Sequence, residues 1–266
     1  MEVEAMAAYV ELGAVRTWYE QRGEGPPVVL LHPGGADARA WAPNLEALAA
    51  GFRVFTPERR GHGRTADVDG AITYKLMVQD TIGFLEQVVG GPAELVGCSA
   101  GAIVALGVAH ARPDLARKLV LVSGVFHHHG WIAAAIDPGQ TPHPALVGGY
   151  AELSPDGAEH FPVVHAKLQR LTREEPTLTT ADLGGVQSRT LVMVGDDDEV
   201  ELEHAIALYR AVPVAELAVI PGTSHGLMHE KPDLCNEIII AFLARDAMPT
   251  IAPIRRAING QGETER

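Results

Sequence analysis

Five consecutive residues constrain this chain more than any others: Gly97-Cys98-Ser99-Ala100-Gly101. They fit the pattern Gly-x-Ser-x-Gly and sit between two apolar runs, Ala93 to Val96 before and Ala102 to Ala109 after. The runs predict a buried strand, one sharp turn, and a helix beginning at about Ala100. Such a turn forces its central residue into a strained backbone conformation. The glycines fall where any side chain would strike the neighbouring strand and helix. Ser99 is then held clear of the sheet at a helix N-terminus, where backbone N–H groups favour a developing negative charge.

The rest of the chain alternates strands with helices. Residues 8–22 alternate around Gly13 and predict an N-terminal hairpin. Val28 to Leu31 is a continuous apolar run, as expected of a strand buried on both faces, and it leads into His32-Pro33-Gly34-Gly35. A helix over 44–50, a strand over 53–56, a Gly-rich loop over 57–64 and a helix from Tyr74 to Val89 precede the turn at Ser99. After it come strands at 118–122, 190–194 and 215–220 and helices at 201–211 and 232–244, the last with Pro at its first turn. The pattern predicts an α/β fold with a mostly parallel sheet, flanked by helices and joined by right-handed crossovers. The stretch between the strands at 118–122 and 190–194 is too long for one crossover. It predicts a small cap, or lid, over the carboxyl ends of the strands, where open α/β sheets bind ligands. The expected division is a core of 1–124 and 189–248, a cap of 125–188 and a polar tail of 249–266.

A serine hydroxyl needs a base to take its proton, and the base needs a carboxylate to orient it. His225 lies in Pro221-Gly222-Thr223-Ser224-His225-Gly226, just after the last strand. Asp196, Asp197 and Asp198 follow Gly195 at the end of the strand before. The order Ser, Asp, His is that of one fold type, and three strand ends converge on one constellation. The oxyanion formed during acyl transfer needs two donors. One is the Ala100 N–H. The other comes from the loop after Leu31, where Pro33 has no N–H and Gly34 is the candidate.

These residues resemble the α/β-hydrolase family, and more closely its small, capped, esterase- and lactonase-like members. The matching stretches are His32-Pro33-Gly34-Gly35, Arg59-Arg60-Gly61-His62-Gly63-Arg64, Gly97-Cys98-Ser99-Ala100-Gly101, Gly195-x-x-Asp198 and Gly222-x-x-His225. Pro33 stands where the family has glycine, and Cys98 where histidine is common. The resemblance implies the α/β-hydrolase fold, a Ser99–His225–Asp198 triad and an oxyanion hole of Gly34 and Ala100. Its spacing selects Asp198 over Asp196 and Asp197, which are expected as loop or capping residues ahead of the helix at 201. It also argues against haloalkane dehalogenases and epoxide hydrolases of this fold, whose nucleophile is aspartate. The expected activity is hydrolysis of a small or medium apolar carboxylic ester or lactone through an acyl-enzyme. C–C bond hydrolysis and a non-catalytic ligand-binding receptor on the same fold are the alternatives.

Other residues are read more plainly. Cys98, Phe126, Trp131 and Tyr150 are candidate pocket residues, from placement alone. His127, His128 and His129 are consecutive, so their side chains are expected to diverge, which favours a loop at the cap entrance over a metal site. His62 is expected to be a structural turn residue, and His229 to lie outside the triad. No metal or cofactor is expected. A net charge of −13 argues against nucleic acid as partner, and no apolar run is long enough to span a bilayer. The start Met1-Glu2-Val3-Glu4 lacks the pattern of a signal peptide, and the two cysteines, Cys98 and Cys235, do not suggest a disulfide. A cytoplasmic enzyme acting on a small molecule is therefore expected.

Overall fold

The computed structural model describes residues 5–137, 139, 141–246 and 250–254. The start Met1–Glu4 and most of the tail expected over 249–266 lie outside them. The strands are β1 (Met6–Leu12), β2 (Val15–Arg22), β3 (Pro27–Leu31), β4 (Arg53–Pro57), β5 (Ala93–Cys98), β6 (Ala116–Val122), β7 (Arg189–Asp197) and β8 (Ala215–Ser224). They form one sheet in the order β1-β2-β4-β3-β5-β6-β7-β8. β1 and β2 pair antiparallel, as does β2 with β4, and the remaining pairs are parallel. β5, which delivers Ser99, lies between β3 and β6 in the interior of the sheet.

Alternation explains why the central strands read as unbroken apolar runs. Val28 and Leu30 of β3 and Val96 of β5 face one core cluster, with Trp41, Leu48, Ile239 and Phe242. Val29, Leu31 and Leu95 face the other, with Met77, Val104 and Leu106. Both faces are covered, so every position must be apolar. The first cluster is covered by α1 (Ala42–Ala49) and, later in the chain, by the helix Pro232–Ala244; the second is covered by α2 (Tyr74–Phe84) and α3 (Ala100–Ala111). α2 continues into a π-helical turn, Leu85–Val89, and ends at Gly90 in the left-handed region, φ 84°.

Between β6 and β7 the chain leaves the sheet. It forms the short 3₁₀ turns His128–Gly130, Ala133–Ile136 and Ala158–His160, and the helices α4 (Pro144–Leu153), α5 (Phe161–Glu174) and α6 (Thr180–Leu183). α7 (Leu202–Ala211), α8 (Leu227–Glu230) and α9 (Pro232–Ala244) complete the chain. Among the described residues, no helix is long and apolar enough to cross a membrane.

Two strands outrun their sequence prediction. β7 extends to Asp197 and β8 to Ser224, and their pairing reaches Asp197 opposite Ser224. The reason is Gly195. A Cβ there would lie 2.5 Å from the Thr223 carbonyl oxygen, so only glycine lets the strands stay this close past their apolar stretch. Asp198 and His225 consequently leave the sheet one residue after its last rung.

Candidate active site

Ser99 occupies a turn that only its flanking glycines permit. Its φ is 54° and ψ −120°, a region that costs an L-residue about 1–3 kcal/mol. A Cβ on Gly97 would lie 2.3 Å from the Gly101 carbonyl, and one on Gly101 would lie 1.9 Å from the Leu31 carbonyl oxygen. Neither contact can relax, because both are with backbone.

His225 lies between Ser99 and Asp198. Its Nε2 is 3.0 Å from Ser99 Oγ, and its Nδ1 is 2.7 Å from Asp198 Oδ1. Asp198 also accepts from the Gly195 N–H (3.0 Å), the Val200 N–H (3.2 Å) and the Ser123 hydroxyl (2.6 Å). Burial pushes the Asp198 carboxyl up, but these donors and His225 outweigh it and hold it below the usual carboxylate range. An ionised Asp198 accepts a hydrogen bond from Nδ1–H, which keeps the proton of the neutral ring on Nδ1 and leaves the Nε2 lone pair facing Ser99. Burial favours neutral His225, yet Asp198 and, more weakly, Glu199 raise its pKa above that of free imidazole.

Asp196 and Asp197 do not reach the ring. Asp196 Oδ1 accepts from the Thr223 N–H (3.0 Å) and ties β7 to β8 instead of capping α7. Asp197 is exposed. Ser123 was legible only as the end of a strand. It has φ 50°, and its backbone N–H donates to Met193 O (2.8 Å), which holds its hydroxyl against Asp198.

The loop after β3 is clamped by two histidines and an arginine. His32 Nε2 accepts from the Arg59 N–H (3.1 Å), so His32 carries its proton on Nδ1 and donates to Pro33 O (2.7 Å). Arg59 Nη2 donates to the same oxygen (3.0 Å). In a trans peptide the C=O and the following N–H point opposite ways. Drawing Pro33 O toward Arg59 therefore turns the Gly34 N–H away from it. His62 Nε2 accepts from the Gly35 N–H (3.0 Å) and its Nδ1 lies 2.9 Å from Arg60 O. Gly35 is thus occupied, while among the described residues the N–H groups of Gly34 and Ala100 have no acceptor. Gly34 packs on Ala100: a Cβ at Gly34 would lie 3.4 Å from the Ala100 Cβ. Burial lowers the pKa of both histidines, that of His62 to about 3, so they stay neutral. His62 therefore does more than shape a turn; it occupies the Gly35 N–H and leaves that of Gly34 unpaired among the described residues.

A cavity of about 70 Å³ lies beside His225. Pro33, Ala40, Trp41, Cys98, Gly226, Met228 and His229 line it with His225. Of the candidate pocket residues, Cys98 is there and Trp131 stands edge-on to the His225 ring, centroids 5.9 Å apart. Phe126 and Tyr150 do not line this cavity. Phe126 stacks on His204 (4.0 Å, 15°), and Tyr150 packs edge-on against Phe161 (5.5 Å). Trp41 was missed because a lone tryptophan between β3 and α1 carries no periodic signal. Burial pushes the Cys98 thiol up to about 12, which keeps it protonated.

The three consecutive histidines do not diverge. Their ring centroids lie 4.2–4.5 Å apart. A 3₁₀ turn brings them together, and His127 Nδ1 caps it by accepting from the His129 N–H (3.2 Å).

Comparison with known proteins agrees with the fold. A model of the alpha/beta hydrolase family matches residues 28–238. The chain is 26% identical to 2-hydroxy-6-oxo-6-(2'-aminophenyl)hexa-2,4-dienoic acid hydrolase of Metapseudomonas resinovorans, over 90% of this chain and 91% of that one. It is 32% identical to (E)-2-((N-methylformamido)methylene)succinate hydrolase of Acinetobacter baylyi, but over only 41% of either chain. Among solved structures, a serine hydrolase involved in carbazole degradation superposes with a TM-score of 0.76 at 25% identity, covering 91% of this chain and 99% of the other.

Proposed function

This chain belongs to the alpha/beta hydrolase family, and on that premise we propose that it is a serine hydrolase of small or medium apolar carboxylic esters or lactones. The observation that carries the reading is His225, hydrogen-bonded at once to Ser99 Oγ and Asp198 Oδ1. Ser99 Oγ attacks the carbonyl carbon as His225 Nε2 takes its proton. Asp198 stabilises the imidazolium, and the N–H groups of Gly34 and Ala100 hold the oxyanion. His225 returns the proton to the leaving alcohol, giving an acyl-enzyme. Water, activated by the same histidine, then releases the acid.

Residues 125–188 serve as the cap in this reading and set what reaches Ser99. The cavity beside His225 supports a small group on one side of the scissile bond. Its lining by Trp41, Cys98 and Met228 supports an apolar one.

The test is labelling of Ser99 by a fluorophosphonate, with steady-state turnover of p-nitrophenyl esters and lactones of graded size. Labelling with turnover of a short ester is expected. Labelling without any turnover would favour a ligand-binding receptor. C–C hydrolysis is the second reading, favoured by the relative from Metapseudomonas resinovorans. Its name describes a hydroxy-oxo dienoic acid, which contains no ester to hydrolyse. Turnover of such a ketone in preference to every ester would select that reading.

A further inference from the structure

One acidic residue beside the triad has no place in the mechanism above. Glu199 Oε2 lies 3.9 Å from His225 Nε2, the atom that relays the proton. Asp198, on its N-terminal side, is pinned by four hydrogen-bond partners. Val200, on its other side, bridges to Trp131, and the Glu199 carbonyl accepts from the Ile132 N–H (2.9 Å). The backbone of Glu199 is therefore fixed from both sides, and its side chain is 47% exposed at the site. Whatever is bonded to Ser99 during turnover passes within a few ångströms of this carboxylate.

The lining of the adjoining cavity contains no lysine or arginine. Two neutral donors stand near it. The indole N–H of Trp41, which lines the cavity, and that of Trp131, beside His225, are both buried without a hydrogen-bond partner. A buried unpaired N–H suits a carbonyl or ether oxygen, whereas a carboxylate without a cation nearby loses its hydration for little return.

Building on the hydrolase reading above, we propose that Glu199 is a specificity-determining residue that excludes anionic substrates, so that the site takes acyl donors uncharged around the scissile carbonyl. Two like charges about 6 Å apart at a half-exposed site disfavour binding about tenfold, and salt weakens the effect.

The experiment compares p-nitrophenyl butyrate with mono-p-nitrophenyl succinate, a pair similar in size that differs by one carboxylate. kcat/KM is measured for wild type, Glu199→Gln and Glu199→Lys at low and high ionic strength. Wild type should favour the neutral ester by about tenfold or more at low salt. Glu199→Gln should lose most of that preference, Glu199→Lys should reverse it, and high salt should compress all three ratios. Ratios in both variants within about twofold of wild type would overturn the assignment while leaving the hydrolase reading intact. Failure of wild type to turn over either ester or to take a fluorophosphonate on Ser99 would contradict the hydrolase reading itself, and this proposal with it.

Discussion

Around Ser99 the chain is held by close backbone contacts, and residues 125–188 are tied to the rest of the chain by side-chain ion pairs together with buried apolar side chains and the Trp131–Val200 bridge. At the strand ends, Gly97, Gly101 and Gly195 let backbones meet at distances no Cβ would allow. Asp198 is fixed partly by main-chain N–H groups, and the loop after β3 by bonds to Pro33 O and the Gly35 N–H. The inserted segment is tied differently. Arg39 pairs with Glu152 (2.7 Å), and Asp67 pairs with Lys167 (2.7 Å) and His160 (2.8 Å). Partners on long, partly exposed side chains are worth little each and can be exchanged without moving the backbone. The strand-end loops thus fix the Ser99–His225–Asp198 geometry through the backbone, and in the proposed reading the inserted segment varies what reaches it.

Mutations can break this contrast, and the largest effect falls in the strand-end loops. Asp198→Asn should lower kcat by about 10⁴, because the amide favours the wrong histidine tautomer and cannot offset the imidazolium. Asp196→Asn and Asp197→Asn should each be milder by at least about tenfold. Measuring kcat for the three variants checks the assignment, and an inactive Asp196 or Asp197 variant would move the acid. Next is pH. The base must be neutral, and Asp198 raises its pKa, so kcat/KM should fall about tenfold per pH unit below a midpoint lying above that of free histidine, ~6.5. A flat profile through that range, with chemistry rate-limiting, would remove His225 as base.

Changes in the inserted segment should be smaller and of another kind. Trp131→Ala should shift KM and acyl-length preference several-fold more than it shifts kcat for the shortest ester. Identical selectivity in the variant would place Trp131 outside the substrate's path. Lys167→Ala should cost about 1 kcal/mol in urea unfolding, since it strips the lysine partner from a nearly buried Asp67. A loss of kcat comparable to that of Asp198→Asn would show that the two regions are not independent.

The same contrast governs what the sequence reveals. The turn at Ser99 is legible because its backbone geometry dictates glycine at 97 and 101, with apolar runs on either side. The core strands are legible because burial on both faces demands unbroken apolar stretches. Asp198 needed the family spacing to be separated from its neighbours, since three adjacent aspartates differ only in where their side chains point. Ser123 was not legible, because a left-handed serine at a strand end carries no sequence mark. Phe126 and Tyr150 are apolar residues in the inserted segment like Trp131, and only packing decides which of them meets His225. The convergence of His127 to His129 depends on a 3₁₀ turn that three identical residues do not announce.

The most direct test is kcat for a short p-nitrophenyl ester in Ser99→Ala, with folding checked by circular dichroism. If Ser99 is the nucleophile that His225 activates, kcat falls by a factor on the order of 10⁶ while the fold is unchanged. A folded variant that keeps more than about a tenth of wild-type kcat would contradict the assignment.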